Sequence, residues 1–266
     1  MTHESPDAIR QAVRARYGTI AQADTVGCGC RPTSCCNTSG SATPEATALG
    51  LGYTPEDVSA VPTGANMGLG CGNPQALAAL RPGETVLDLG SGGGFDCFLA
   101  AQAVGEQGWV IGVDMTPEMV SKARQNSARA GFRNVEFRLG EIEHLPVADQ
   151  SVDVILSNCV INLSPDKAQV FHDAFRVLKS GGRLAITDIV ATAPLPELVR
   201  HDFALYTGCV AGAAVIAELE HMLSAAGFTA IRIQPRDESR VLIREWAPGS
   251  KVEDFVVSAT IEATKP

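Results

Sequence analysis

The chain of 266 residues suits one large domain or a domain with a smaller appendage, and 45% apolar with 19% charged residues permits a substantial core. A formal net charge of −9 argues against nucleic acid and anionic membranes as partners, because both attract basic surfaces. No stretch approaches the roughly 18 consecutive apolar residues of a membrane span, and MTHESPDAIRQ lacks a basic region followed by an apolar one, so a cytoplasmic protein with reduced thiols is expected.

Pro6 followed by Ile9, Val13 and Tyr17, four apart, predicts a short amphipathic helix over 6–17. From Gly27 to about Gly72, Gly, Pro, Ser, Thr and Cys dominate, which reads as loop with short helical turns. From Glu84 strands and helices alternate. TVLDLG leads into the helix FDCFLAAQAV, and WVIGVDM leads into PEMVSKARQNSARAG, with Pro117 near its start and Gly131 just past its end. NVEFRLG, VDVILSNC and GRLAITDIV continue as strands. Before the last of them, PDKAQVFHDAFRVLK places Phe171, Ala174, Phe175 and Leu178 on one helical face. Such alternation means βαβ units, an α/β fold with a mostly parallel sheet. Beyond about Val190, PELVRHDFALYTG and AVIAELEHMLSAAG read as helices, and IRIQP, RVLIREW and FVVSATIEA as strands. This region can complete the sheet, cap it or form a second domain. The expected division is 1–72, 73–190 and 191–266.

Ligands of open α/β sheets sit beyond the carboxyl ends of the strands. The first such end is VLDLGSGGGFD, whose glycines allow a tight turn and a close ligand approach. Asp114 ends the second strand at the roughly 20-residue separation at which a carboxylate hydrogen-bonds ribose hydroxyls. A nicotinamide dinucleotide fits poorly: Phe95 stands where the third glycine of G-x-G-x-x-G belongs, and Asp88 before the turn suits a cation better than a diphosphate.

VLDLGSGGG, GVDMTPEMV, LGEIEHLPV and LKSGGRLAITD, in that order over about residues 70–190, resemble class I S-adenosylmethionine-dependent methyltransferases, with their Rossmann-like seven-stranded sheet. The resemblance implies S-adenosylmethionine as cofactor. It would place Gly90, Ser91 and Gly92 against the methionine part, with Asp88 nearby. Asp114 would bind the ribose and Met115 would lie beside the adenine. Glu141 and Ile142 would flank the adenine, and Asn158 would face the transferred methyl.

The acceptor is indicated by what is missing as well as by what is present. Hydroxyl, carbon and amine acceptors generally lose a proton and call for a base, yet no histidine stands out: His3 lies in the tail, His144 after a strand, and His172, His201 and His221 in helices. Three thiols do stand out. Cys159 lies at the end of the fourth strand, Cys71 in GLGCGNP and Cys209 in YTGCVAG, the last two beside glycines. The plain alternative is three unrelated small residues in loops and core. Three thiolates select a soft centre and, unlike the four of a closed zinc site, leave a position free. Trivalent arsenic takes three sulfur ligands and keeps a lone pair that attacks a methyl group without a base.

GCG near residue 71, DLGSGGGFDC, SNCVINLSPDK, FRVLKSGGRLAITD, TGCVAGA and FVVSAT together resemble the arsenite methyltransferases over about residues 67–260. The resemblance implies arsenic detoxification, with Cys71, Cys159 and Cys209 binding As(III) before the sulfonium methyl. The family commonly offers one upstream cysteine where this chain offers Cys28, Cys30, Cys35 and Cys36. Methylation oxidises As(III) to As(V), and a dithiol returns the two electrons by forming a disulfide. These four thiols are therefore expected to deliver arsenic or relay a disulfide to thioredoxin or glutathione, a small zinc site being the alternative. Cys97 is a further redox partner or simply buried. Two other functions remain at this level: methylation of a quinone or another small metabolite, and sequestration of arsenic or metal beside a vestigial cofactor site.

Overall fold

A computed structural model describes residues 5–23, 43–200, 202–246 and 250–266. Cys28, Cys30, Cys35 and Cys36 lie outside the described residues. Helix α1 (Pro6–Gln22) begins with Ser5 as its cap and Pro6 in its first turn, and runs beyond the expected 6–17. The short helices α2 (Pro44–Gly50) and α3 (Pro55–Ala60) each start at a Thr-Pro pair, the threonine hydroxyl accepting from a first-turn N–H. They are the helical turns expected of this glycine-rich region.

The alternating part then runs α4 (Gln75–Ala78), β1 (Thr85–Leu89), α5 (Phe95–Val104), β2 (Trp109–Asp114), α6 (Pro117–Ala130), β3 (Val135–Leu139), β4 (Val152–Asn158), α7 (Lys167–Val177) and β5 (Leu178–Ala191). The remainder is α8 (Glu197–Arg200), α9 (Phe203–Thr207), α10 (Ile216–Ala226), β6 (Thr229–Arg236), α11 (Arg240–Trp246) and β7 (Val256–Thr264). One sheet of seven strands results, in the order β3-β2-β1-β4-β5-β7-β6. The strands β1 to β5 pair in parallel; β7 runs antiparallel to both β5 and β6. The residues after Val190 thus complete the sheet. Among the described residues, no helix is long and apolar enough to cross a membrane.

Two apolar layers sandwich the sheet. Phe98, Ala101 and Val104 of α5 and Val120 and Ala123 of α6 cover one face, while Phe171 and Val177 of α7 and Leu219 and Leu223 of α10 cover the other. Burial on both faces accounts for the continuous apolar runs in β1 and β4. Each fully buried side chain of the size of Phe98 or Phe171 contributes about 1.5–3 kcal/mol.

RVLIREW is a correction. It forms α11, not a strand. Its apolar run is too short for periodicity to separate strand from helix. Only Ile243 is fully buried, Val241 stays exposed, and Leu242 packs on the cluster of Ala48, Leu51 and Tyr53. PELVRHDFALYTG also divides, into α8 and α9, with the Asp202 side chain capping the second.

From β1 the chain winds outward through β2 and β3 and returns on the other side of β1 as β4. The sheet's switch point therefore lies between the carboxyl ends of β1 and β4, where an open α/β sheet leaves a crevice.

Candidate functional site

The turn after β1 is set by its neighbours. Gly90, Gly92 and Gly94 all have positive φ. A Cβ on Gly90 would meet the Val160 side chain at 2.3 Å, and one on Gly93 would meet the Ala65 carbonyl at 2.8 Å. Gly92 faces open space. Asp114 accepts from the N–H groups of Gly92 (3.0 Å) and Thr116 (2.8 Å), tying this turn to the end of β2. Burial pushes the Asp114 carboxyl up, against the pull of those two donors.

A cavity of about 440 Å³ opens above the turn. Asp88, Gly90, Ser91, Gly92, Asp114, Met115, Ile142 and Asn158 all line it. Glu141 does not. It turns outward to an ion pair with Arg14 and lies 3.4 Å from Arg10. Glu143 takes the inward position, held by Arg10 at 3.2 Å and the Ser164 hydroxyl at 2.8 Å. Arg10, Val13, Arg16 and Tyr17 of α1 form a wall of the same cavity.

Two carboxylates, Asp88 and Asp96, are buried at the methionine end of the expected ligand. Among the described residues, Asp88 accepts only from the Cys97 thiol (3.2 Å). Asp96 accepts from Tyr53 Oη at 2.8 Å and from Gln75 and Asn158. Neither forms an ion pair among the described residues. Burial raises both carboxyls, Asp96 to about 6, and the charge of Asp96 further raises Asp88. Ser91 Oγ is also buried, without a hydrogen-bond partner among the described residues. This donor set fits S-adenosylmethionine, which brings an ammonium and a sulfonium and no phosphate. Phe95 lines the cavity edge-on to Tyr53, with ring centroids 4.8 Å apart.

The other end of the cavity carries sulfur. Cys159 and Cys209 line it, and Cys71 is buried against Cys159. Sγ of Cys71, Sγ of Cys159 and a carboxylate oxygen of Asp188 all lie within 4.8 Å of one another. Cys209 Sγ donates to the Cys159 carbonyl at 2.8 Å, and the Cys159 thiol hydrogen-bonds with both Cys71 and Cys209. Two of the thiols are held through their own backbone. Cys71 N–H donates to Asn158 Oδ1 (3.0 Å), its carbonyl accepts from Ser258 Oγ (2.8 Å), and Cys159 N–H donates to the Thr187 carbonyl (2.8 Å). Asn158 Nδ2 also donates to Gly72 O at 2.9 Å, so this one amide clasps the Cys71–Gly72 peptide from both sides.

Cys159 and Cys209 both sit in the left-handed region, at φ 60° and 65°. Non-glycine residues there cost about 1 kcal/mol or more and concentrate at functional sites. Burial pushes the Cys71 thiol up. At Cys159 a hydrogen bond from Cys209 pulls downward, but the bond with Cys71 and burial outweigh it. At Cys209 the bond to Cys159 and then burial push upward. Tyr17 packs against this cluster and hydrogen-bonds with Cys209.

Cys97 lies on the buried face of α5, and burial followed by the charge of Asp88 pushes its thiol up. Among the described residues no histidine lines the cavity. Tyr53, Glu143 and Tyr17 carry no clear mark in the sequence as site residues, being brought in by elements distant in sequence. Asp96 had a signal, an acid two residues past the last glycine of the turn.

A family model described as a methyltransferase domain matches residues 80–227. An arsenite methyltransferase of Halobacterium salinarum is 55% identical over 264 residues, covering 98% of this chain and 68% of that protein. The mouse arsenite methyltransferase is 35% identical, covering 87% of this chain and 61% of its own length. The crystal structure of an arsenic(III) S-adenosylmethionine methyltransferase from Chlamydomonas reinhardtii superposes with a TM-score of 0.63 at 34% identity, covering 85% of this chain and 75% of that one. A Haemonchus contortus phosphoethanolamine N-methyltransferase solved with S-adenosyl-L-methionine has a TM-score of 0.59 at 20% identity, a likeness of fold alone.

Proposed function

The chain belongs to the arsenite methyltransferases, within the methyltransferase-domain family, and from that membership we propose that it transfers methyl groups to trivalent arsenic held by Cys71, Cys159 and Cys209. It is a methyltransferase that uses S-adenosylmethionine. The chain spans 68% of the haloarchaeal relative and 61% of the mouse one, so substrate and partners are read from its own residues.

The observation that carries the reading is one continuous cavity with buried carboxylates free of ion pairs at one end and the thiols of Cys159 and Cys209 at the other, with Cys71 packed behind Cys159. Arsenous acid is neutral. Each thiol that replaces a hydroxide sends its proton away in the departing water, so thiols with raised pKa values still bind arsenic. Bound S-adenosylmethionine supplies an electrophilic methyl on a sulfonium. Asp88 and Asp96 hold its cationic methionine end, Asp114 the ribose, and Met115 and Ile142 the adenine. The thiolates direct the arsenic lone pair into the cavity. Apolar neighbours such as Val13 and Val210 exclude water, and positioning replaces acid–base work.

After transfer arsenic stands formally as As(V) and needs two electrons. Cys28, Cys30, Cys35 and Cys36 supply them by forming a disulfide, which thioredoxin or glutathione of a reducing cytoplasm resets. The test is incubation with methyl-labelled S-adenosylmethionine, arsenite and a thiol reductant, against the same mixture without arsenite. Label on arsenic is expected; label only on a carbon or oxygen acceptor defeats the proposal.

A further inference from the structure

Asp188 is a buried carboxylate that arsenic has no use for, since As(III) is satisfied by three sulfur atoms. It lies in β5, 2% exposed, with one oxygen within 4.8 Å of the sulfurs of Cys71 and Cys159. Its orientation is fixed by three donors: Ile161 N–H on Oδ2 (2.8 Å), and Asn162 Nδ2 (2.9 Å) and Ile189 N–H (2.7 Å) on Oδ1. Oδ2, which accepts from Ile161 N–H, keeps a lone pair for another partner.

Three sulfurs and one oxygen make the donor set that a divalent d¹⁰ ion takes in tetrahedral geometry. We infer that Cys71, Cys159, Cys209 and Asp188 form a four-ligand site for zinc or cadmium, which occupies the thiols in competition with arsenic. The competition rests on the arsenic reading of these thiols; the cation site stands on the cluster of Cys71, Cys159 and Asp188, which Cys209 joins through its contacts with the Cys159 thiol and carbonyl. The four ligands come from four separate segments, and Asn162 orients the carboxylate as outer partners do at metal centres. Two units of negative charge remain once the ion has bound three thiolates and a carboxylate. The half-buried Lys167 ammonium, whose charge acts on both Asp188 and Cys209, offsets part of that excess. The two substrates differ in proton balance. A divalent ion replacing three thiol protons sends them to solvent, whereas arsenous acid gives up three waters and no net proton. Cation affinity therefore rises with pH and arsenite affinity does not.

The experiment titrates the reduced full chain with cadmium, following the ultraviolet cadmium–thiolate band, and determines the bound ion's shell by X-ray absorption. One cadmium per chain in a shell of three sulfurs and one oxygen is expected, with affinity rising with pH. Asp188→Asn should weaken cadmium by about 10- to 100-fold and leave arsenite binding unchanged. Absence of a stoichiometric site, an all-sulfur shell, or an unaltered cadmium affinity in folded Asp188→Asn overturns the inference. The shell is measured on the unmodified protein, so the inference stays open to refutation even if the variant fails to fold. Cadmium that forms the expected shell yet is not displaced by arsenite overturns the competition and leaves the cation site standing.

Discussion

Asp96 shows how much one carboxyl's surroundings decide. Burial raises it to about 6, and no basic side chain among the described residues pairs with it. A cationic ligand favours the ionised form, so affinity for S-adenosylmethionine should decline as pH falls through about 6, where the carboxyl takes up a proton. Isothermal titration across that range checks this, and Asp96→Asn should flatten the slope. At the other end of the cavity, Cys159→Ser and Cys209→Ser should each abolish methylation while sparing cofactor affinity. Serine is a hard, protonated ligand, and loss of a direct ligand should exceed the roughly 10–100-fold effect of an outer partner on arsenic binding. Near-normal turnover by either variant removes that thiol from the site. Tyr17→Phe keeps the ring and removes the hydroxyl, so it should weaken arsenic binding by about 1 kcal/mol, or fivefold, as read by arsenite titration. The thiols stood out in the sequence because Cys71 and Cys209 lie beside glycines and Cys159 follows the end of a strand. Glu141 and Glu143 were not separable by pattern: Arg10, 133 positions from Glu143, is one of the groups that hold it inward.

Helix α1 was visible as an apolar stripe, but nothing in a stripe says what it covers. It spans the cavity, pinned to one side by Arg10 on Glu143 and to the other by Arg16 on Thr207 Oγ1 at 2.7 Å. Glu143 is almost wholly buried, so Arg10→Met leaves an unpaired charge and should cost about 3–5 kcal/mol. The helix should then undock and the cofactor should leave faster, measurable by stopped-flow displacement. Arg14→Ala breaks only a half-exposed pair and should change stability by less than about 1 kcal/mol. Equal effects of the two substitutions would falsify the view of α1 as a wall held by the buried pair. α11 marks the opposite limit of pattern reading. A three-residue apolar run fits a strand or a helical turn equally, and tertiary packing settles the matter, with Ile243 in the cluster of Val252 and Val256 and Leu242 against that of Ala48 and Leu51.

Across the whole molecule, alternation foretold a mostly parallel sheet, while the insertion of β7 between β5 and β6 was beyond reach, since period carries no lateral order. The cysteines of CGCRPTSCC pose a test at this scale. Replacing Cys28, Cys30, Cys35 and Cys36 together with serine should leave arsenic binding measurable and slow repeated turnover, most of all when the reductant is limiting. Supplying thiol-bound As(III) should restore part of the rate. Unimpaired turnover together with stoichiometric zinc that only the unmodified chain retains favours the zinc alternative. The contact between Arg16 and Thr207, 191 residues apart, has a consequence for biosynthesis. At roughly 5–20 residues per second, a ribosome needs about 10–40 s to pass from one partner to the other. For that interval α1 has emerged without its dock, and Val13 and Tyr17 face water or a chaperone. The wall of the cavity is thus made long before the segment that seats it. A nascent chain encloses this cavity only after the segment carrying Thr207 has been made.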